Sequence, residues 1–280
     1  MNAAVYARRK KVNALMFALT AACAAVASGT LLAILGYIAW KGASALSWSF
    51  LMNLPRPVGE PGGGIANSIV GSAKVVGLAG ALGIPVGVLG GVYLAEYGRG
   101  RYAFAVRYAA DVMNGVPSIV VGLFAYALIV HPMKKFSALS GSVALAFIMV
   151  PIVLRNTEEF LRLVPGTIRE AALALGVPRW KVTLLVILPT AGRGIVTGAL
   201  LALARVAGET APLIFTAFGN RFEGSGMLNP IATLPHTIYT YAISPYEDWH
   251  DQAWAAALIL MAFVLAVNAA TRLWLRPRST

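Results

Sequence analysis

The stretch Glu170-Ala171-Ala172-Leu173-Ala174-Leu175-Gly176, which continues to Val186-Ile187-Leu188-Pro189, is a charge-bearing amphipathic segment between long apolar runs. Residues 168–175 are mostly strong helix formers, so we predict a helix there. Gly176 is suited to end that helix in a left-handed conformation, and Pro178 is suited to begin a second short helix. The segment holds no pattern typical of a metal site, a nucleophile or a phosphate loop. It is therefore predicted to be a docking surface at a membrane.

The spacing within this stretch resembles the EAA loop of ABC importer permeases. The pattern is Glu-Ala-Ala, three residues, Gly, nine residues, an aliphatic residue, one residue and Leu-Pro, with Val186 at the aliphatic position, where isoleucine is commoner. In that family the short helix of the loop inserts into a cleft of a separate ATPase subunit. The resemblance implies ATPase coupling by five residues: Glu170, Ala171, Ala172, Gly176 and Pro189.

The composition is that of a polytopic membrane protein. Of the 280 residues, 58% are apolar and 12% are charged, about half the charged content of an average soluble domain. The single cysteine, Cys23, excludes an internal disulfide framework, and the three histidines (His131, His236 and His250) have no ligand spacing, so we predict no metal site. No Walker-type phosphate loop or nucleophile elbow occurs in the sequence, so we predict neither a catalytic site nor ATP binding by this chain.

The net charge of +12 is explained by membrane topology without a nucleic-acid partner. A topology of six spans with both termini in the cytoplasm puts 16 of the 23 basic residues on the cytoplasmic side, 5 on the other side and 2 within the membrane. This distribution is the positive-inside bias of membrane proteins. We therefore predict no nucleic-acid binding.

Six apolar runs long enough to cross a membrane follow one another along the chain. The first exceeds the length of a signal-peptide apolar core, so we predict a retained helix. The predicted spans are 12–40, 65–93, 108–130, 139–154, 194–218 and 252–273. They form one permease domain, 12–273, between a cytoplasmic N-terminus, 1–11, and a cytoplasmic C-terminus, 274–280. The cytoplasmic loop 155–193 holds the coupling motif.

Small residues predict close packing between helices in lipid. In the second span three glycines recur at four-residue spacing, and a fourth lies in the fifth span. We expect helix contacts at these four positions: Gly83, Gly87, Gly91 and Gly198.

Three ionisable residues fall within predicted spans, where charge is costly and usually faces the bundle interior or a water-filled path. Lys74 lies in the second span, and Arg205 and Glu209 lie four residues apart on one face of the fifth. Gly198 and Ala202 share that face, so we expect it to contact other helices. At about 1.5 Å per residue, Arg205 lies near the midplane, and Lys74 and Glu209 lie at one level where they would pair. We predict that these three charges line a translocation path in which Arg205 meets an anion; the alternative is that they only hold helices together.

Two further stretches resemble the PstA-type permeases of phosphate-specific ABC importers: 114–124 (Asn-Gly-Val-Pro-Ser-Ile-Val-Val-Gly-Leu-Phe) and 204–213 (Ala-Arg-Val-Ala-Gly-Glu-Thr-Ala-Pro-Leu). The resemblance extends from the second run to the sixth. It implies an all-α polytopic protein of the bacterial inner membrane, with the type I ABC importer permease fold, that imports inorganic phosphate by alternating access. The implied partners are a homologous PstC-type permease subunit, an ATPase dimer that binds ATP and Mg²⁺, a periplasmic or surface-tethered phosphate-binding protein, and membrane lipid. No cofactor is expected on this chain.

Three alternatives remain open. Molybdate, tungstate and sulfate importers share the fold and the loop, and much of the selectivity of such systems lies in the binding protein. A secondary anion transporter would need no ATPase, but it would leave the coupling loop unexplained. An intramembrane enzyme would need a catalytic cluster at one depth, and Lys74, Arg205 and Glu209 are a poor catalytic set without a metal.

Overall fold

Helices make up most of the residues that the structure describes. The computed structural model describes residues 3–60, 62–222 and 226–274. In these residues the sole β pairing is an isolated bridge between Phe218 and Ile231. The α-helices of the described residues, in chain order, are α1 (Ala3–Ala45), α2 (Trp48–Met52), α3 (Ala66–Glu96), α4 (Gly100–Gly115), α5 (Ser118–Ala125), α6 (His131–Met133), α7 (Ala138–Arg162), α8 (Gly166–Ala174), α9 (Arg179–Val182), α10 (Leu188–Ala207), α11 (Ala211–Ile214), α12 (Leu234–Ala242) and α13 (Glu247–Trp274).

Among the described residues, five helical segments are long and apolar enough to cross a membrane. They are Val5–Ala45, Ala66–Glu96, Ala138–Arg162, Arg179–Ala207 and Glu247–Leu273. A sixth crossing results if the bent pair Gly100–Gly115 and Ser118–Met133 is counted as one span. The predicted all-α polytopic architecture with six apolar segments agrees with this arrangement. Of the predicted C-terminus, 274–280, all but residue 274 lies outside the described residues, as do residues 1 and 2.

The third predicted span, 108–130, is not one straight helix. The two helices of this region meet at an angle of 106°. Pro117 lies at the break, and the residue before it, Val116, is extended with φ −70° and ψ 132°. A proline disfavours the helical conformation of the preceding residue, so the chain leaves α4 here and starts again at α5.

The fifth predicted span, 194–218, begins earlier and ends earlier in the structure. The helix runs from Arg179 to Ala207, and Gly208 caps it. Pro212 has no N–H to donate to the carbonyl of Gly208, and its ring crowds that carbonyl, which favours an end to the helix here. Prolines do not end every helix of the bundle, since α3 and α7 continue through Pro85 and Pro151. The predicted cytoplasmic loop 155–193 is correspondingly shorter, because α7 extends to Arg162.

The central helix of the bundle is α7, which packs against α3, α4, α5, α10 and α11. Its face toward α3 meets a line of glycines. A Cβ added at Gly91 would lie 2.6 Å from the Cβ of Thr157 and 2.6 Å from the carbonyl oxygen of Leu154. From α10, a Cβ at Gly198 would lie 2.9 Å from the Cβ of Asn156. The four glycines for which the sequence predicts packing, Gly83, Gly87, Gly91 and Gly198, all contact α7, and Gly90 and Gly194 contact it as well.

Replacing Gly91 by alanine should destabilise the bundle by about 1–3 kcal/mol, the usual cost of overpacking, because its methyl group would meet backbone of α7. A matched control is Gly77→Ala on the same helix, where a Cβ would have no neighbour within 4 Å. That change should be neutral or slightly stabilising, since alanine favours helix. Thermal unfolding of the purified chain in detergent measures both. Equal midpoints for the two variants would contradict the close α3–α7 contact.

Candidate functional site

The predicted coupling loop folds as helix, turn and helix. The first helix is α8, and Gly176 follows it with φ +77°, the left-handed conformation predicted for this position. Pro178 is the N-terminal cap of α9. The prediction of two short helices joined at Gly176 is confirmed, with the first helix starting at Gly166 instead of residue 168.

One residue of the loop anchors it to the bundle. Ala172 is 9% exposed and packs in a hydrophobic cluster with Leu161 of α7, Val182 of α9 and Ile187. Its neighbours Glu170 and Ala171, and also Gly176, are exposed. In the described part of the chain, the Glu170 side chain forms neither an ion pair nor a hydrogen bond. Of the four predicted coupling residues in this loop, Ala172 therefore holds the helix in place, and the other three face outward.

Large apolar side chains lie exposed around the same loop. Leu163 is 74% exposed, Leu175 is 84% exposed and Trp180 is 56% exposed. A cluster of exposed apolar side chains with polar residues around it is typical of an interaction surface, and tryptophan is enriched at protein interfaces. We call the exposed residues Leu163, Glu170, Ala171, Leu175, Gly176 and Trp180 the coupling surface, and the end of the bundle that carries them the coupling end.

Pro189, the last predicted coupling residue, is exposed and lies in the first turn of α10. The turn before it, Thr183–Ile187, is a π-helical turn. A second π turn, Tyr126–Val130, likewise precedes a proline, Pro132. Because proline cannot donate an α-helical hydrogen bond, a widened turn before it is a natural accommodation. Pro189 thus lies at the junction between the coupling loop and α10.

An ion pair joins the coupling loop to the end of α3. Nη2 of Arg169, in α8, lies 2.7 Å from Oε1 of Glu96, the last residue of α3, whose side chain is 8% exposed. This pair connects the first short helix directly to a long helix of the bundle. A charge-assisted hydrogen bond thus holds α8 against the end of α3.

A buried glutamate organises the coupling end. The side chain of Glu158 in α7 is 1% exposed, and its two carboxylate oxygens receive three arginines. Oε1 of Glu158 lies 2.6 Å from Arg107 Nε and 2.7 Å from Arg162 Nη2, and Oε2 lies 2.9 Å from Arg155 Nη1. Arg107 also donates to the carbonyl oxygen of Leu94 in α3 at 2.9 Å. The cluster joins α3, α4 and α7.

Hydropathy does not predict this cluster. The apolar run ends at residue 154 and the prediction places 155–193 in a loop, so Arg155, Glu158 and Arg162 fall outside the predicted helix. Their spacing of i, i+3 and i+7 is the available signal, since it puts all three on one face if α7 is extended. The partner Arg107 lies 51 residues away in the sequence, and no local pattern predicts it.

Of the predicted path residues, Arg205 lies near the middle of the bundle. A Cβ at Gly80 would lie 3.1 Å from Leu203, and Ala207 lines a cavity with Val76, so Arg205 is level with the central part of α3. The small residues Gly198 and Ala202 are buried as predicted, but Arg205 itself is exposed in the single chain.

Glu209 and Lys74 do not form the predicted pair. Because α10 ends at Ala207, Glu209 lies in the turn before α11 and not on the helical face of Arg205. In the part of the chain that the structure describes, no ion pair joins Glu209 to Lys74 or to Arg205. Lys74 is exposed on α3 and lines a cavity of about 440 Å³ with Asn67.

That cavity adjoins a second one of about 220 Å³, and both are lined by Asn67 and Ala232. The lining of the second cavity includes Arg221 and His236. Burial lowers the pKa of the His236 imidazole, because the charged form loses hydration. These cavities lie at the opposite end of the bundle from the coupling surface.

Among residues 3–60, 62–222 and 226–274, no group of three or more His, Cys, Asp or Glu side chains is placed to hold a metal ion.

The two stretches that carry the second resemblance, 114–124 and 204–213, contact each other. A Cβ at Gly122 of α5 would lie 2.6 Å from the Cα of Pro212 in α11. The segment after α10 therefore folds back between α5 and α7. This contact needs a glycine, because any side chain there would meet backbone.

Comparisons with known proteins agree with this geometry. Residues 87–278 match the family described as binding-protein-dependent transport system inner membrane component. The chain is 45% identical over 268 residues to the phosphate transport system permease protein PstA of Haemophilus influenzae, covering 95% of this chain and 94% of that protein. It is 46% identical over 272 residues to the protein of the same name from Xylella fastidiosa strain Temecula1, covering 96% and 94%.

Solved structures show the same fold. The inward-facing MetNI methionine ABC transporter superposes with a TM-score of 0.63 at 19% identity, over 76% of this chain and 96% of that chain. A second, an amino acid ABC transporter crystallised with histidines, gives a TM-score of 0.60 at 19% identity, over 76% and 94%. The predicted type I ABC importer permease fold is confirmed, and relatives and fold are those of transporter subunits, not enzymes. The chain belongs to the family of binding-protein-dependent transport system inner membrane components, and it is a multi-pass membrane protein.

Proposed function

We propose that this chain is the membrane-spanning permease subunit of an ATP-driven importer that carries inorganic phosphate inward across a bacterial inner membrane. The observation that carries the proposal is the identity, along nearly the full chain, with phosphate transport system permease proteins. This identity favours phosphate over molybdate, tungstate or sulfate. The exposed coupling surface favours an importer driven by a separate ATPase over a secondary transporter.

The proposed assembly contains a second, PstC-type permease, two copies of the ATPase, and a periplasmic or surface-tethered phosphate-binding protein. ATP and Mg²⁺ bind the ATPase, and this chain binds no cofactor. The binding protein docks at the end of the bundle opposite the coupling surface and releases phosphate between the two permeases. Rearrangement of the ATPase pair reaches the long helices through the coupling surface and the Arg169–Glu96 ion pair, and alternating access follows from rocking of the two permeases.

Arg205 is the proposed anion contact in the path. A charged side chain facing lipid near the bilayer centre costs about 2.5–3.5 kcal/mol or more, so an exposed arginine at this depth is expected to face protein or water. The exposed face of α10 at Arg205 is therefore proposed to contact the second permease, and the translocation path is proposed to run between the two subunits. A guanidinium there presents a planar fork of donors that matches a phosphate. Lys74 and Glu209 are proposed to tune the potential of the same path.

Uptake of labelled phosphate by Arg205 variants tests this assignment. Loss of a charge-assisted hydrogen bond of about 1.5–3 kcal/mol predicts that Arg205→Ala lowers uptake about tenfold or more. Arg205→Lys keeps the charge without the fork and should be intermediate. Arg193→Ala, on the same helix near the coupling end, removes an exposed arginine and serves as the control. Near-normal uptake by Arg205→Ala, with the complex assembled, would overturn the role of this residue.

A further inference from the structure

A small basic cavity lies between the end of α3 and the two short helices of the coupling loop. Its volume is about 130 Å³. Three arginines line it, one from each adjoining segment: Arg99 after α3, Arg169 in α8 and Arg179 at the start of α9. The remaining charged residue of its lining is Glu96. The cavity lining thus carries three positive charges and one negative charge, the Glu96 carboxylate.

The single carboxylate does not satisfy these arginines. Glu96 is 2.7 Å from Nη2 of Arg169, which uses one donor of that guanidinium. The Nε of Arg169 is buried and has no hydrogen-bond partner in the described structure. Within that same part of the chain, Arg99 and Arg179 form no ion pair. The lining therefore carries an excess of two positive charges, on the exposed side chains of Arg99 and Arg179. It also holds one buried donor without an acceptor, Arg169 Nε, which is costly to leave unpaired.

We propose that this cavity binds a phosphate group. A water molecule occupies about 30 Å³ of liquid, so the volume suits a group of four or five heavy atoms. Arginine forks match tetrahedral oxyanions by paired, charge-assisted hydrogen bonds. A phosphate bound here would accept from Arg169 Nε and neutralise Arg99 and Arg179. The inference concerns the coupling loop and does not depend on which substrate the permease carries.

The position of the cavity gives the bound group a structural role. Its arginines belong to the end of α3, to α8 and to α9. The Arg169–Glu96 pair joins α3 to α8, and among the described residues no ion pair reaches α9. A phosphate would join all three segments and stiffen the transmission from the coupling surface to α3. Two sources supply this chemistry at a membrane surface: the headgroup of an anionic phospholipid, and free inorganic phosphate.

The test measures stabilisation of the purified full chain in detergent by two probes. One probe is inorganic phosphate at constant ionic strength, and the other is phosphatidylglycerol added to mixed micelles, with phosphatidylcholine as reference. A ligand that binds the folded chain raises its unfolding midpoint with a saturable dose response. A response to inorganic phosphate identifies a free-phosphate site, and a response to phosphatidylglycerol alone identifies a lipid headgroup site.

The decisive variant is Arg99→Gln/Arg179→Gln, which keeps the Arg169–Glu96 pair and so preserves the loop. We expect at least about tenfold weaker apparent affinity for the active probe, since two charged donors are lost. The matched control is Arg101→Gln/Lys181→Gln, which removes the same charge from exposed positions two residues away and outside the cavity. This control, and Arg205→Ala, should respond as the unmodified chain does.

Two results would overturn the proposal. One is the absence of a saturable response to either probe in the unmodified chain. The other is an equal affinity of the two double variants. Arg205→Ala leaves the cavity intact. A wrong assignment of the translocation path would therefore appear in phosphate uptake by Arg205→Ala, and a wrong assignment of this site would appear in the probe affinity of Arg99→Gln/Arg179→Gln.

Discussion

Replacing Glu158 by glutamine is expected to destabilise the coupling end of the bundle by about 3 kcal/mol, within the range for removing one partner of a buried ion pair. The carboxylate is 1% exposed and receives Arg107, Arg155 and Arg162. A glutamine of the same shape offers one acceptor oxygen and turns an N–H₂ group toward an arginine. Arg155 would keep its ion pair with Asp111 at 2.9 Å. Arg107, whose side chain is 23% exposed, would lose its counter-charge and keep only the carbonyl oxygens of Leu94 and Gly98 as acceptors.

The neighbouring Glu159 provides the control. It is exposed and forms no ion pair in the described residues, so Glu159→Gln removes the same charge from the next position of α7 at little cost. Thermal unfolding of the purified chain and its yield in membranes measure the difference. A fall of several degrees in the midpoint for Glu158→Gln alone is the expected result. Similar midpoints for both variants would mean that the three arginines do not depend on Glu158.

Replacing Leu175 by aspartate is expected to remove the ATPase from the purified complex and to reduce phosphate uptake to background. Leu175 is 84% exposed beside Gly176, so the change costs the isolated chain little. In a docked interface, burial of this leucine side chain would contribute about 1.5–3 kcal/mol to binding. A buried, unpaired aspartate adds a desolvation cost.

Leu228→Asp is the matched control, since Leu228 is an exposed leucine, 50% accessible, in the connection between α11 and α12 at the opposite end of the bundle. It should retain the ATPase. The measurement is the amount of ATPase that co-purifies with each variant from the same quantity of membranes. Full retention by Leu175→Asp would show that the coupling surface docks no ATPase through this residue.

The parts of the fold that the sequence predicts are those set by local patterns. Long apolar runs predict spanning helices, because length and hydropathy are local properties. The turn at Gly176 was predicted for a similar reason: a glycine followed by a proline two residues later leaves few backbone conformations open.

The parts that the sequence analysis missed depend on prolines within apolar runs and on distant contacts. Hydropathy alone did not distinguish a straight third span from two helices broken at Pro117, and it extended the fifth span beyond Pro212. Because the predicted fifth span continues past Ala207, where α10 ends, the prediction put Glu209 on the same helical face as Arg205 and paired it with Lys74. The Glu158 cluster depends on Arg107, and such a pairing between helices is settled by tertiary packing.

The most direct test of the account is initial uptake of labelled phosphate at low micromolar concentration, in cells with and without this chain, in the presence of unlabelled sulfate or molybdate. The account predicts that uptake is lost without the chain, is restored by its return, and is reduced by excess unlabelled phosphate but not by the other two oxyanions. Unchanged phosphate uptake in cells that lack the chain, with uptake of another oxyanion lost instead, would contradict the phosphate assignment while leaving the permease fold intact.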